Sequence, residues 1–171
     1  MITIKCNLCN INQRKYDEII NSLDLNRLQC SSCKTHNFVI HSYYYRKLKT
    51  RKGTIYLRIM RIICKDCKTT HALLLSCIVP YSRIDLNSQI RIITNDDVEG
   101  LMNEIDEIDD HDINYIRNNF NKYYKERLLS IKVDVSDNDL VFKCFKYFKR
   151  QFMQIRCTTN ILFDWNHVAF L

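Results

Sequence analysis

The sequence predicts an α+β protein in which a cysteine-rich β-ribbon comes first and a small all-α bundle follows. Paired cysteines and alternating apolar residues are concentrated before residue 82, whereas apolar residues recur with a period near 3.6 after it. Pro80, followed by Ser82 and Asp85, marks the change. We therefore expect one domain at residues 1–82 and a second at residues 83–171.

Composition excludes several classes of protein. The chain has 171 residues, of which 46% are hydrophobic, and only 2 Gly and 1 Pro, which is typical of a globular protein. No apolar run approaches the roughly 18 residues that a membrane span needs, so we expect no membrane partner. The N-terminus has no continuous apolar run of the signal-peptide kind, so we expect a cytoplasmic protein with reduced cysteines.

Charge is distributed unevenly along the chain. Residues 1–85 hold 15 Lys and Arg against 5 Asp and Glu, whereas residues 86–130 hold 5 against 10 and residues 131–171 hold 6 against 4. These segments add to the net charge of +7. Any electrostatic attraction to a polyanion such as nucleic acid should therefore begin in the first half.

Two Cys-x-x-Cys pairs, Cys30 with Cys33 and Cys64 with Cys67, are spaced as in a tetrahedral zinc site. Between them, residues 38–48 and 54–63 have the aromatic, β-branched and alternating pattern of two strands, with Gly53 in the turn. A hairpin would return the second pair to the first, so we expect a zinc ribbon with a structural Zn²⁺. A redox pair would need a βαβ context, which the sequence lacks, and disulfides are disfavoured in a reducing compartment.

Cys6 and Cys9 form a third pair, which is either half of a second metal site or a reduced, partly buried pair. The segment that follows them, residues 13–28, has helical rather than hairpin spacing. The candidates for two further ligands are His36, His41, His71 and Cys77. His71 is also interpretable as a hydrogen-bonded structural residue beside a complete set of four cysteines. Cys77, Cys144 and Cys157 have apolar neighbours and are expected in the core.

Three helices are predicted after residue 82: a short one with Leu86, Ile90 and Ile93 on one face, a second near residues 96–102, and a longer third. This is the layout of a helix-turn-helix, whose third helix enters the DNA major groove. Small three-helix bundles share the pattern, and nine carboxylates in the acidic segment, residues 96–112, are unfavourable near phosphates. The polar face of the third helix would consist of Asn114, Arg117, Asn118, Asn121, Lys122 and Lys125.

A last helix is predicted over residues 137–156. Val141, Phe145, Phe148 and Phe152 recur at helical spacing, and such an aromatic stripe is usually a core face. We expect this helix to close the bundle.

The phrase CKDCKTTHALL, residues 64–74, followed by Pro80-Tyr81-Ser82, resembles the zinc ribbon of a family of bacterial insertion-sequence and transposase-associated proteins of unknown function. The resemblance continues to RQFMQIRCTTN, residues 150–160. It implies recognition of mobile-element DNA and a metal on the four cysteines of the two pairs. Two departures from the family are Lys68, where such knuckles usually carry Gly, and Ser76-Cys77, where similar sequences carry Pro and an aromatic residue.

We expect no enzyme, because no three-carboxylate site on a ribonuclease-H-like sheet and no common catalytic motif is recognisable. The first functional hypothesis is a zinc-dependent protein that binds double-stranded DNA of a mobile element. The alternative is an adaptor that docks on a transposase, a polymerase or another protein through the ribbon and the acidic segment. The hairpin cations expected on DNA are Arg46, Lys47, Lys49, Arg51, Lys52, Arg58 and Arg61.

Overall fold

The chain divides into two compact units, each discontinuous in sequence. The computed structural model describes residues 1–6, 10–95, 97–105, 107–156 and 159–164. Unit 1 comprises Met1–Arg46, Tyr56–Cys77 and Thr158–Leu171, and unit 2 comprises Lys47–Ile55 and Ile78–Cys157. The predicted domains, 1–82 and 83–171, are by contrast contiguous. No helix in the described part of the chain is long and apolar enough to cross a membrane.

Five strands form one mixed sheet. They are β1 (Ile2–Lys5), β2 (Phe38–Thr50), β3 (Gly53–Cys64), β4 (Thr70–Leu75) and β5 (Ile161–Asp164). Their order is β2-β3-β4-β1-β5, with β1 parallel to both β4 and β5, and β3 antiparallel to β4. The predicted fold class, an N-terminal ribbon followed by an all-α bundle, is therefore wrong. The predicted hairpin is present as β2 and β3, but it is part of a larger sheet.

The sequence pattern missed β1 because this strand lies between two others. Ile2, Thr3 and Ile4 are all fully buried, so the strand shows no alternation of apolar and polar residues. Its polar member is accommodated by a hydrogen bond from the Thr3 hydroxyl to Asn160 Oδ1, at 3.1 Å. Four residues are also too few for a periodic pattern to be recognised.

Six α-helices lie in the described residues. They are α1 (Gln13–Asn21), α2 (Leu86–Thr94), α3 (Val98–Glu104), α4 (Asp110–Tyr123), α5 (Lys125–Ser130) and α6 (Leu140–Phe148). The side chains of Asn12, Asp85, Asp97 and Asp109 accept N-terminal backbone hydrogen bonds of α1, α2, α3 and α4. Short polar side chains therefore fix where these four helices begin.

In unit 1, Tyr16 of α1 links two strands of the sheet. Its hydroxyl accepts a hydrogen bond from the backbone N–H of Met60 and donates one to the carbonyl of Leu73, both at 2.9 Å. The side chain is 1% exposed, and burial raises its pKa. Because this buried hydroxyl both donates and accepts a hydrogen bond, it holds β3 and β4 at a fixed position against α1.

Unit 2 has its own apolar core, to which α2 to α6 contribute, and both α2 and α3 contact α4. The predicted last helix, residues 137–156, is shorter than expected: α6 ends at Phe148, and Lys149 follows in the left-handed conformation with φ 56°. Phe152 packs edge-to-face on Tyr124, with ring centroids 5.2 Å apart. The aromatic stripe is thus interrupted by a turn, although its last member still lies in the core.

Candidate metal centre and candidate nucleic-acid interface

The first knuckle is the turn Cys30-Ser-Ser-Cys33-Lys-Thr, just before β2. The backbone N–H of Cys30 donates to the carbonyl of Thr35 at 2.8 Å, and the N–H of Lys34 donates back to the carbonyl of Cys30 at 3.0 Å. This pair of hydrogen bonds closes a tight turn that places Cys30 and Cys33 on the same side.

The second knuckle, Cys64-Lys-Asp-Cys67-Lys-Thr, has the same arrangement between β3 and β4. Cys64 N–H donates to the Thr69 carbonyl at 3.0 Å, and Lys68 N–H donates to the Cys64 carbonyl at 2.9 Å. Lys34 and Lys68 have φ of 66° and 60°, the left-handed conformation that usually favours Gly. The departure from Gly at Lys68 is therefore accommodated without changing the turn.

The two knuckles bring four sulfur atoms together. The Sγ atoms of Cys30, Cys33, Cys64 and Cys67 all lie within 4.8 Å of one another. Two separations between the knuckles are 3.6 Å, from Cys30 Sγ to Cys67 Sγ, and 3.5 Å, from Cys33 Sγ to Cys64 Sγ. Four thiolates about 2.3 Å from a tetrahedral metal would stand about 3.8 Å apart. The cluster is therefore compatible with a zinc site.

Hydrogen bonds favour the thiolate form of two of these cysteines. The backbone N–H of Cys67 and the hydroxyl of Thr35 lower the pKa of Cys64 to about 6. The Thr69 hydroxyl lies 3.2 Å from Cys67 Sγ and lowers the pKa of that thiol. The Thr residue at the same place in each knuckle was missed from the sequence, although the repeated phrase Cys-x-x-Cys-Lys-Thr is a visible signal.

Burial acts in the opposite direction on Cys30 and raises its pKa to about 11. His71 lies beside it, with Nε2 3.3 Å from Cys30 Sγ. The imidazole is 1% exposed, and burial, together with the N-terminal ammonium, lowers its pKa to about 4. A neutral His71 with its proton on Nε2 can donate a hydrogen bond to the sulfur. This geometry agrees with a hydrogen-bonded structural residue rather than a fifth ligand.

The proposed second metal pair, Cys6 and Cys9, is only partly within the described residues, since Cys9 lies outside them. The Cys6 backbone N–H donates to Ser76 Oγ at 3.1 Å, and Ser76 Oγ donates back to the Cys6 carbonyl. Neither Cys6 nor the candidate partners His36, His41, His71 and Cys77 belong to a metal-holding group found within the described ranges. The second site remains a prediction.

Asp109, His111 and Asp112 form another cluster of donor atoms, in the acidic segment. Asp109 accepts a hydrogen bond from the Asp112 backbone N–H at 2.7 Å as the N-cap of α4, and Asp112 pairs with Lys49 at 2.6 Å. The position of the Asp109 carboxylate is therefore explained by helix capping, and that of the Asp112 carboxylate by an ion pair.

The hairpin tip, residues 47–52, contributes cations to unit 2, where they meet the acidic segment. The ion pairs are Lys47 with Glu107 at 2.6 Å, Lys49 with Asp112 at 2.6 Å, and Arg51 with Glu104 at 2.5 Å. Arg91 also pairs with Glu104, at 2.5 Å. Ile105 and Ile108 are buried and anchor the same segment in the core. Three predicted DNA contacts are thus engaged by carboxylates of their own unit.

The remaining hairpin cations have different surroundings. Lys52 is exposed in the two-residue turn, and burial lowers the pKa of Arg46. Arg58 and Arg61 are exposed on β3, and each guanidinium lies over a tyrosine ring: Arg58 over Tyr43 at 4.6 Å and Arg61 over Tyr44 at 4.9 Å. Residues 38–64 contain no Asp or Glu, so neither strand brings a carboxylate to these arginines.

The predicted recognition helix corresponds to α4, and most of its predicted contacts are exposed. Arg117 differs, since its guanidinium donates to the carbonyls of Ile92, at 3.1 Å, and Asn95. It therefore ties α4 to the C-terminal end of α2. The exposed members of the predicted face are Asn114, Asn118, Asn121 and Lys122 on α4, and Lys125 at the start of α5.

Comparison with protein families matches part of the chain. A family described as a domain of unknown function, DUF6431, matches residues 30–110, which include both knuckles, the hairpin and α2 to the first residue of α4. Searches of curated proteins and of solved structures found no match.

Proposed function

We propose that the protein is a non-catalytic, zinc-containing DNA-binding protein that acts on mobile-element DNA. The observation that carries the proposal is the pair of exposed arginines on β3 of unit 1, Arg58 and Arg61, stacked on tyrosines of a hairpin without carboxylates. A polyanion would meet cations there whose attraction no neighbouring acidic residue on either strand opposes. The resemblance to transposase-associated sequences supports a mobile element as the source of the DNA.

Zinc is the metal that the four-cysteine centre suits best. Thiolates are soft ligands, and a complete set of four at tetrahedral spacing is typical of structural Zn²⁺. Such a closed site leaves no position for a substrate, which supports a structural rather than a catalytic metal. Bound zinc would stabilise the two knuckles and thereby the root of the hairpin, which we define as its unit 1 part, residues 38–46 and 56–64. The root carries Arg58 and Arg61. Measuring the metal content of purified protein tests this assignment, and a protein that folds without metal would contradict it.

The exposed side of α4 is a second surface that supports DNA binding, within unit 2. Asn118, Asn121 and Lys122 are side chains of the type that contact base edges and phosphates. Arg117, in contrast, serves the packing of α4 on α2, so its loss should lower stability before it alters sequence preference.

The adaptor alternative has less support. It depends on the acidic segment as a docking surface, and Glu104, Glu107 and Asp112 in that segment already pair with cations of unit 2. No contact within the described residues favours a protein partner over DNA.

The test is fluorescence anisotropy of the zinc-loaded, full-length protein with duplexes from its own genomic neighbourhood and with scrambled duplexes, across a salt series. We expect affinity to fall steeply as salt rises, with a preference for neighbourhood DNA. Absence of binding at low salt would refute the proposal.

A further inference from the structure

An exposed aromatic surface lies on the hairpin in unit 1. Tyr43, Tyr45 and Tyr56 are 44%, 76% and 64% exposed. Side chains two apart on a strand share a face, which groups Tyr43 with Tyr45 on β2 and Tyr56 with Arg58 on β3. The contact of Arg58 with Tyr43 shows that the two groups are on one face. We refer to Tyr43, Tyr45, Tyr56 and Arg58 as the tyrosine face.

Two rings of the tyrosine face are not used in packing. Within the described residues, neither Tyr45 nor Tyr56 stacks on another ring or receives a cation, and neither hydroxyl makes a hydrogen bond. Clustered large rings that remain exposed are uncommon unless a partner covers them. The hairpin fold therefore does not explain why both positions are aromatic.

The charge of the surroundings indicates what kind of partner fits. In unit 1 the two strands of the hairpin, residues 38–46 and 56–64, contain Arg46, Arg58 and Arg61 and no Asp or Glu. The Arg58 guanidinium lies over the Tyr43 ring, 4.6 Å from its centroid. A guanidinium that stacks on a ring keeps its in-plane N–H groups available to an anion. The complementary partner is planar, apolar on its faces and anionic at its edge. Unpaired nucleobases on a phosphate backbone have these properties, whereas the bases of a duplex are stacked on one another.

We propose that the tyrosine face binds single-stranded nucleic acid, with bases stacking on Tyr45 and Tyr56 and Arg58 contacting phosphate. This inference rests on the proposed nucleic-acid function and specifies the substrate of its unit 1 surface. Recognition of this kind would be tolerant of sequence, because every base offers a ring face.

The test compares an oligothymidine, a mixed single strand and a duplex of equal length by anisotropy with zinc-loaded, full-length protein. The test variant is Y45A/Y56A, and Y45F/Y56F keeps both rings. Tyr147→Ala is the matched control, because Tyr147 is also exposed, at 53%, with the Lys146 ammonium near its ring in unit 2. We expect Y45A/Y56A to bind the single strands about 10-fold or more weakly, and the other two variants to bind as the wild type does.

Three results would overturn the inference. Unchanged single-strand affinity in Y45A/Y56A would refute it while leaving duplex binding, and hence the proposed function, intact. A change of oligomeric state in Y45A/Y56A, measured by sedimentation, would assign the tyrosine face to self-association. Failure of the wild type to bind any of the three probes at low salt would refute both the inference and the proposed function.

Discussion

The hairpin carries similar cations at its root and at its tip, and the structure surrounds them differently. At the root, in unit 1, Arg58 and Arg61 lie over tyrosine rings of a neighbouring strand. At the tip, in unit 2, Lys47, Lys49 and Arg51 pair with carboxylates of the acidic segment. The sequence shows one basic hairpin, but Lys47, Lys49 and Arg51 are paired with carboxylates, whereas Arg58 and Arg61 lie over tyrosine rings.

The largest expected effect on metal content and folding distinguishes the four cysteines of the metal centre from the other cysteines. Cys64→Ser should remove the metal and unfold unit 1, because a structural zinc contributes about 10–16 kcal/mol, comparable to the whole stability of a domain. Metal content and circular dichroism measure this effect.

Cys144→Ser is the matched control, since Cys144 is fully buried in the unit 2 core and lies outside the four-cysteine cluster. The Cys144→Ser variant should have a lower free energy of unfolding than the wild type and should retain its metal. Equal metal loss in both variants would show that the ligands are misassigned.

The tip should matter for stability more than for binding. Asp112→Asn breaks the ion pair with Lys49, which is partly buried, since the Lys49 and Asp112 side chains are 13% and 22% exposed. This substitution should lower the free energy of unfolding by about 1–2 kcal/mol. Urea denaturation measures this change. The control is Asp110→Asn, because Asp110 is exposed in the same first turn of α4. It should lower the free energy of unfolding by less, and equal decreases in the two variants would mean that the ion pair contributes nothing.

His71 provides a finer probe of the centre. His71→Leu removes the donor at Cys30 Sγ, and loss of such an outer hydrogen bond typically costs about 10–100-fold in metal affinity. Competition with a chelator measures the affinity. His71→Gln retains an N–H group at a similar distance along the side chain, so its metal affinity should lie between those of His71→Leu and the wild type. Identical metal affinities of the two variants would argue against the hydrogen bond.

The smallest expected effect is the pH dependence of the tip. The hydrogen bond from Lys47 lowers the pKa of Glu107, so this pair contributes stability above the ordinary pKa of a glutamate and loses it as pH falls through the lowered value. Glu107→Gln should flatten that acidic part of the stability curve. An unchanged curve would show that the pair is too exposed to contribute.

The metal cluster was predictable from sequence because it depends on the local spacing of cysteines. The hairpin was predictable because apolar and polar residues alternate along its strands. The five-stranded sheet was not predictable, since β1 is short, its first three residues are buried, and its partners β4 and β5 are distant in sequence. Arg117 was interpreted as a base contact because its helical position is polar, yet its guanidinium caps α2. Likewise, the pairing of tip cations with the acidic segment depends on contacts about 50 to 60 residues apart, which charge counts alone cannot supply.

The most direct test of the difference between root and tip is the salt dependence of DNA binding by R58A/R61A. Each phosphate contact adds about 0.7–0.9 to the slope of log affinity against log salt. Lys146→Ala, which removes another exposed cation stacked near a tyrosine, is the control. We predict a lower affinity and a slope reduced by about 1.4–1.8 for R58A/R61A, with Lys146→Ala close to the wild type. An unchanged slope in R58A/R61A would contradict the account.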